Sequence, residues 1–279
     1  MPELPEVETV RRGLIPRMVG HRIVKLHQRR RDLRVPLPAK FAQKVEGRTV
    51  QAIDRRAKYL LIRLDDGQTL VAHLGMSGRM TLHDARSAAE HPFGRHDHVV
   101  LETDQGWQVR FNDARRFGLM VLVADGAVAK HRLFKGLGPE PLDELFDGAA
   151  LAARLKGRRT PIKAALLDQK TLVGVGNIYA CEALFLSGIS PRRSAHTVQG
   201  ERAARLVASI KQVLLRSIDD GGSTLRDHVQ PGGELGYFQT RFNVYDRHGT
   251  VCPTPGCGHT VKRLVQSGRS TFYCARCQR

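Results

Sequence analysis

Short runs rich in hydrophobic residues, separated by polar and turn-forming residues, occupy the first half of the chain. They predict seven strands, at residues 21–27, 49–53, 59–64, 69–74, 98–102, 107–111 and 119–123. Turn-forming segments such as 65–67 and 104–106 separate the runs. This spacing of short strands is typical of an antiparallel sandwich or barrel. A helix should precede the strands, because Val7, Val10 and Leu14 recur at helical spacing.

The pattern becomes helical in the second half of the chain. Gly, Pro and acidic residues dominate positions 136–148, which we interpret as the main part of a linker. Hydrophobic residues at helical spacing then predict helices at 151–155, 162–167, 178–186 and 201–218. After Asp246, the last acidic residue, a small cysteine-bearing module follows. We predict an α+β protein with a β-rich domain at 1–135, a linker at 136–150, a helical domain at 151–246 and a metal-binding module at 247–279.

The net charge of the chain indicates what kind of partner the protein binds. The 279 residues carry a formal net charge of +18, which favours a polyanionic partner such as nucleic acid. No apolar run approaches the length of a membrane span, and the acidic N-terminus lacks the residue order of a signal peptide. We therefore expect a protein of a reducing, cytoplasmic compartment with no membrane partner.

Four of the five cysteines form two close pairs near the C-terminus. Four residues separate Cys252 from Cys257, sixteen separate the two pairs, and two separate Cys274 from Cys277. This spacing predicts a closed tetrahedral site of four thiolates for one structural Zn²⁺, the alternative being four unrelated thiols. The residues between the pairs are basic and aromatic with no acid, a composition suited to phosphate contact. The fifth thiol, Cys181, is expected in helix packing.

The N-terminal stretch contains candidate chemistry. If Met1 is removed, Pro2 presents a secondary amine, and an α-amino group titrates at about 7.7–8.0, so part of it is nucleophilic at neutral pH. Glu3 and Glu6 would face this amine if a helix starts at Pro5. An amine beside two carboxylates suits imine chemistry, in which one group attacks carbon while others move protons. Alternatively, the prolines and acids only start a helix.

Three further segments contain candidate functional residues, and each segment can also be explained by structure alone. Lys58 opens a strand and would by default be a solvated surface lysine. Residues 113–118 combine two arginines with Phe117, a mixture suited to wedging a base stack, unless the ring packs inward. Residues 172–178 contain two glycines and lead into a helix that Asn177 would cap. The first backbone amides of this helix could hold a phosphate. The alternative is that Asn177 only caps the helix.

Five motifs together resemble those of bacterial formamidopyrimidine-DNA glycosylases. They are Pro-Glu-Leu-Pro-Glu-Val-Glu-Thr at 2–9, Arg-Arg-Ala-Lys-Tyr-Leu at 55–60, His-Leu-Gly-Met-Ser-Gly at 73–78, the glycine turn at 173–180 and Gly-Arg-Ser-Thr-Phe-Tyr-Cys at 268–274. The motifs follow the family's order and cover nearly the whole chain. The resemblance implies a base-excision repair enzyme that removes oxidised purines, chiefly 8-oxoguanine and formamidopyrimidines, from double-stranded DNA and then cuts the strand. It also implies an N-terminal β-sandwich bearing the first helix, a helical domain with a helix–two-turn–helix element, and a zinc-finger hairpin.

The resemblance assigns roles to individual residues. Pro2 corresponds to the nucleophile that forms a Schiff base with C1′ of the damaged nucleotide, Glu3 to the acid/base that assists sugar opening, and Glu6 to a supporting carboxylate. Lys58 corresponds to an essential lysine near the lesion and its phosphates. The implied DNA contacts are His96, the gap-filling trio Met76, Arg115 and Phe117, and the phosphate clamp of Asn177 and Arg269. Residues 221–226 resemble a mobile loop over the extruded purine.

Several positions depart from the family pattern. The first cysteine pair is spaced by four residues where two is commoner, and the basic stretch 156–159 is richer in arginine. Asn112 and Ala114 replace the usual Thr and Pro, and His228 stands where Phe is frequent. None of these changes affects the amine or the carboxylates.

Two other functions are compatible with much of the sequence. The related endonuclease VIII type removes oxidised pyrimidines with the same amine chemistry, but it usually has Gly at the position of Leu4. The second is a zinc-ribbon DNA-binding protein without catalysis. For the repair enzyme we expect a monomer in the bacterial cytoplasm, associated with the nucleoid through DNA.

Overall fold

The computed structural model describes residues 2–224 and 230–279 and divides the chain into two compact units. The first unit comprises residues 1–135 and 220–237, and the second comprises residues 136–219 and 238–279. The sequence-based boundaries placed 220–237 among the helices. This segment instead belongs to the first unit, because it hydrogen-bonds to that unit's first helix and to one of its strands. The four-part division stays a prediction.

Two four-stranded antiparallel sheets build the first unit. One has the strand order β1-β6-β7-β5, formed by β1 (Ile23–Gln28), β5 (Arg79–His83), β6 (Asp97–Thr103) and β7 (Gln108–Asn112). The other has the order β2-β3-β4-β8, formed by β2 (Val50–Arg56), β3 (Tyr59–Leu64), β4 (Gln68–His73) and β8 (Leu119–Ala124). Side chains from both sheets share one hydrophobic core, as in a β-sandwich.

Helix α1 (Leu4–Met18) packs on this sandwich. Its predicted stripe of Val7, Val10 and Leu14 is buried in the shared core. The seven predicted strands are present within a few residues of their expected bounds. Strand β5 and two short helices, α2 (Phe41–Val45) and α3 (Ala85–Glu90), were not predicted, and each is only five or six residues long.

The second unit contains the four predicted helices and a β-hairpin. The helices are α4 (Gly148–Leu155), α5 (Ile162–Leu167), α6 (Asn177–Leu186) and α7 (Glu201–Asp219), and the hairpin pairs β9 (Lys262–Gln266) with β10 (Arg269–Tyr273). Helices α5 and α6 are consecutive and are joined by the turn-containing segment 168–176, the arrangement expected of a helix–two-turn–helix element. Within 2–224 and 230–279, no helix is both long and apolar enough to cross a membrane.

Candidate active site and metal centre

Helix α1 begins with the predicted pair of carboxylates. Glu3 is the N-cap residue, and Glu6 on the first turn accepts a hydrogen bond from the backbone N–H of Glu3 at 2.7 Å. The two residues form a capping box, which fixes both side chains at the helix start. The helix begins at Leu4 rather than at Pro5, so Pro5 is its second residue. Pro2 and both carboxylates are buried, with only 4% of Glu3 and 2% of Glu6 exposed.

The second carboxylate oxygen of Glu6 is also engaged. Its Oε1 accepts a hydrogen bond at 2.9 Å from the backbone N–H of Ser223, which is 5% exposed. One buried carboxylate thus joins the backbone next to Pro2 to the segment at 220–237. Because both oxygens accept from backbone amides, the Glu6 side chain is held in one orientation.

Lys58 lies in a two-residue hairpin turn between β2 and β3. Arg56 pairs with Tyr59 across the turn, and Ala57 has a positive φ of 56°. Only 7% of Lys58 is exposed, so the default interpretation as a solvated surface lysine is wrong. Lysines are almost never buried without a partner or a role.

His73, the last residue of β4, faces this lysine and was given no role from the sequence. Burial, and after it the charges of Lys58 and Arg34, lower the pKa of His73 to about 4. Its Nδ1 accepts the backbone N–H of Gly75 at 2.9 Å. The neutral ring therefore carries its proton on Nε2, which makes that nitrogen a hydrogen-bond donor at neutral pH. The signal that could have revealed it is its position at a strand end, directly before the glycine-containing motif at 74–78.

Two loops of the first unit, residues 74–78 and 113–118, are in direct contact through their backbones. A Cβ on Gly75 would come within 2.4 Å of the carbonyl carbon of Phe117, so only glycine permits this approach. Asp113, which is fully buried, accepts Ser77 Oγ–H at 2.6 Å and the backbone N–H of Gly118 at 2.8 Å. Sequence reasoning missed Asp113, although it opens the arginine-phenylalanine turn.

This junction presents the predicted trio at the surface. Met76 is 38% exposed and Phe117 is 44% exposed, so Phe117 does not pack inward. The Arg115 guanidinium lies 4.8 Å from the centre of the Phe117 ring, a cation–π contact that groups the two side chains. His96 is near this junction, because its carbonyl accepts the backbone N–H of Asp113 at 3.0 Å.

In the second unit, the start of α6 meets the β9–β10 hairpin. Asn177 Nδ2 donates to the carbonyl of Ser270 at 3.0 Å, which places Asn177 beside the residue that follows Arg269. Asn177 is therefore not the cap of α6. The N-cap is Gly176, and the Asn177 amide reaches across to the hairpin instead.

A buried lysine reinforces the same contact. Lys163 is 1% exposed, and its Nζ donates to the Ser270 carbonyl at 3.1 Å and to Thr271 Oγ1 at 2.7 Å. The basic stretch 156–159, which is rich in arginine, lies a few residues before this lysine. Within that stretch, Arg158 is paired with Asp168 at 2.8 Å.

Glu182 on α6 is a second structural acid that the sequence did not reveal. Its carboxylate is fully buried and accepts four hydrogen bonds of 2.8–2.9 Å, from the backbone and side chain of Asn243 and from the backbones of Val244 and Tyr245. The Tyr245 ring in turn packs edge-on against Phe272 of the hairpin, with ring centres 5.2 Å apart. Helix α6 therefore holds both the hairpin and the chain that leads into it.

The four predicted metal ligands converge at the end of the second unit. The Sγ atoms of Cys252, Cys257, Cys274 and Cys277 all lie within 4.8 Å of one another, and three of the pairs are 3.4–3.8 Å apart. A tetrahedron of thiolates about 2.3 Å from Zn²⁺ has edges of about 3.8 Å, so the cluster fits one zinc ion. Four protein ligands leave no open position, and the zinc is structural. Cys181 packs in the adjacent hydrophobic cluster, as predicted.

Some sequence-based expectations concern residues outside those described. The removal of Met1 is one, the substitution at His228 is another, and residues 225–226 of the proposed loop over the purine are the third.

Three protein families match successive parts of the chain. The formamidopyrimidine-DNA glycosylase N-terminal domain matches residues 1–120, the H2TH domain of the same enzymes matches 137–229, and a zinc finger found in FPG and IleRS matches 249–279. The fold and the four-cysteine centre described above are thus those of a helix–two-turn–helix DNA glycosylase.

Individual relatives narrow this class. The formamidopyrimidine-DNA glycosylase of Beijerinckia indica is 55% identical, with each chain covered completely. The MutM (Fpg) protein of Thermus thermophilus is 41% identical, with a TM-score of 0.85 over 99% of this chain and 98% of that one. A Lactococcus lactis FPG mutant in complex with DNA containing Fapy-dG is 33% identical, with a TM-score of 0.89 over both complete chains. The chain belongs to the formamidopyrimidine-DNA glycosylase family.

Proposed function

We propose that the protein removes oxidised purines from duplex DNA and then cuts the strand, using the amine of Pro2. The observation that carries this proposal is the buried N-terminus of α1, where Pro2 adjoins two immobilised carboxylates in a chain of the formamidopyrimidine-DNA glycosylase family. The substrate class agrees with the net charge of +18 and with the lesion-containing DNA bound by a structural relative.

The reaction begins as a displacement at C1′. The lone pair of Pro2 nitrogen forms a bond to C1′ while the bond from C1′ to the base breaks, and the proton that the nitrogen then releases balances the proton taken up by the departing base. Glu3 then supplies a proton to the ring oxygen O4′, so the sugar opens and an iminium ion forms. Glu6 holds the backbone of Glu3 and thereby fixes the acid beside the amine.

Strand cleavage follows from the iminium ion. Its positive charge acidifies the C2′ proton, and loss of that proton expels the 3′ phosphate. A second elimination expels the 5′ phosphate, and water releases the sugar fragment from Pro2. We assign Lys58 and the Nε2–H of His73 to the phosphates near the lesion, because Lys58 is a buried cation and the neutral His73 close to it carries its proton on Nε2.

The damaged base must leave the duplex before this chemistry, which costs a few kcal/mol in lost stacking. We assign Met76 and Phe117 to the vacated stack and Arg115 to the orphaned base, since all three side chains are on one pair of bonded loops. We assign His96, Asn177 and Arg269 to phosphate contacts. A protein with this substrate works at the chromosome, so we expect it to associate with the nucleoid through DNA. We also expect it to act as a monomer.

Borohydride trapping on defined duplexes tests the proposal. The wild type should form a covalent complex with a duplex carrying 8-oxoguanine opposite cytosine and cut it faster than a matched duplex carrying thymine glycol. Pro2→Gly should lose most of the trapped product with 8-oxoguanine. Faster cleavage at thymine glycol would favour the endonuclease VIII type, and tight duplex binding with no trapped complex would favour a non-catalytic DNA-binding protein.

A further inference from the structure

The chain returns to the first unit at residue 220 and leaves it after residue 237, and the described parts of this segment contact helix α1. The described parts of this segment, residues 220–224 and 230–237, lie side by side: Ser223 bridges to Tyr237, and Tyr237 N–H donates to the Asp220 carbonyl at 3.0 Å. A Cβ on Gly236 would come within 2.3 Å of the Gly222 carbonyl oxygen, so the two limbs are in direct backbone contact.

The outgoing limb is attached to α1 by Glu6. Ser223 N–H donates to Glu6 Oε1 at 2.9 Å, while Glu6 Oε2 accepts from Glu3 N–H at 2.7 Å. A single buried carboxylate therefore sets the distance between this limb and the residue next to the amine.

The returning limb meets α1 two turns further along, at Gly13. A Cβ at this position would lie 2.8 Å from Cγ, 3.0 Å from Cδ and 3.2 Å from Cβ of Pro231. The proline ring cannot swing away as a flexible side chain could. The Pro231 carbonyl also accepts the backbone N–H of Leu82 on β5 at 2.7 Å, which holds this limb from the other side. Gly13 thus allows the limb to approach the helix this closely.

We propose that Gly13 and Glu6 are positioning residues through which the catalytic helix fixes residues 220–224 and 230–237 for recognition of the damaged base. The inference rests on the proposed function, because the limb at Ser223 is bonded to the same carboxylate that holds the residue next to the amine. It assigns α1 a second task beside catalysis. A side chain at position 13 should displace the returning limb while leaving Pro2, Glu3 and Lys58 unchanged.

The expected effect depends on the substrate. Excision of 8-oxoguanine needs the base to be held while the bond at C1′ breaks, whereas an abasic duplex offers no base to hold. Displacements of reacting groups by about 1 Å can cost about 10²-fold in rate. A shift of a few tenths of an ångström in Gly13→Ala should therefore lower the rate of 8-oxoguanine excision about tenfold. The rate of incision at an abasic site should stay within about twofold of wild type, since the amine and its acids do not move.

Single-turnover rates on the two duplexes test the proposal in the full-length protein. Gly126→Ala is the matched control, because Gly126 is in the same unit, lacks a positive φ and has no atom within 4 Å of a built Cβ. The second variant is Gly13→Ala combined with Pro231→Ala, which removes the ring atoms at 2.8 and 3.0 Å and leaves a contact of 3.2 Å. This double variant should recover the excision rate of Pro231→Ala alone.

The outcomes separate the alternatives. Loss of 8-oxoguanine excision with retained abasic incision, rescued by the second substitution, supports the proposal. Wild-type rates in Gly13→Ala, an equal loss on both substrates, or a failure of rescue would overturn it. A wild-type protein that cuts the abasic duplex and leaves 8-oxoguanine intact would refute the proposed function itself.

Discussion

Asp113 should decide whether the two gap-filling loops act as one rigid surface. Replacing it with alanine removes the acceptors of two buried donors, Ser77 Oγ–H at 2.6 Å and Gly118 N–H at 2.8 Å. Each buried donor left without a partner costs about 1–3 kcal/mol, so we expect a loss of about 2–6 kcal/mol in the free energy of unfolding of the first unit. Asp113→Asn keeps one oxygen acceptor, and the Ser77 hydroxyl can turn to accept from the new amide, so its loss should be smaller.

The assay uses the single tryptophan of the chain. Trp107 lies in the first unit, so its fluorescence in a urea titration reports the unfolding of that unit. Asp104→Ala is the matched control: it removes the same charge in an exposed turn, where the carboxylate accepts the backbone N–H of Arg22 at 3.2 Å and lies 3.3 Å from His21 Nδ1. Excision of 8-oxoguanine should fall in Asp113→Ala and stay near wild type in the control.

Asp113 links the loop of Met76 to the loop of Phe117 through two hydrogen bonds. This role would be refuted if Asp113→Ala unfolded at the same urea concentration as Asp104→Ala. Equal excision rates for these two variants would also refute it, because the junction would then have no part in holding the opened duplex.

Two other predictions concern acid stability and the metal. Burial, and then nearby Lys58, lower the pKa of His73 to about 4, whereas an unfolded histidine titrates near 6.5. The unfolded chain binds the extra proton between these values, so stability should rise from pH 4 to pH 6.5 by up to about 3 kcal/mol, and His73→Gln should flatten that rise in urea titrations. For the metal, elemental analysis should find one zinc per chain, and Cys274→Ala should lose both the zinc and duplex binding, because the hairpin has only a small core of its own. Tight duplex binding by the zinc-free variant would contradict this.

Much of the fold and of the site could be predicted from the sequence. Seven of the eight sandwich strands and the four helices of the second unit follow from hydrophobic periodicity, and the zinc ligands follow from cysteine spacing. The helix start was one residue off at Pro5, because Glu3 and Glu6 form a capping box that begins the helix at Leu4.

The residues that sequence reasoning missed act through long-range contacts. Asp113, Lys163 and Glu182 look like ordinary surface charges in the sequence, yet each is buried by a partner far along the chain. Periodicity and spacing report only local structure, so they do not reveal such partners. Asn177 shows the same limit: local rules made it a helix cap, and its amide instead bonds to Ser270, 93 residues away.

The account depends most directly on which nitrogen becomes attached to the sugar. After borohydride reduction of the complex with an 8-oxoguanine duplex, trypsin digestion and mass spectrometry should locate the adduct. We predict a modified peptide of residues 2–11, with Met1 absent and the sugar fragment on Pro2. A fragment on the peptide containing Lys58, or a fully active enzyme that retains Met1, would contradict the central claim.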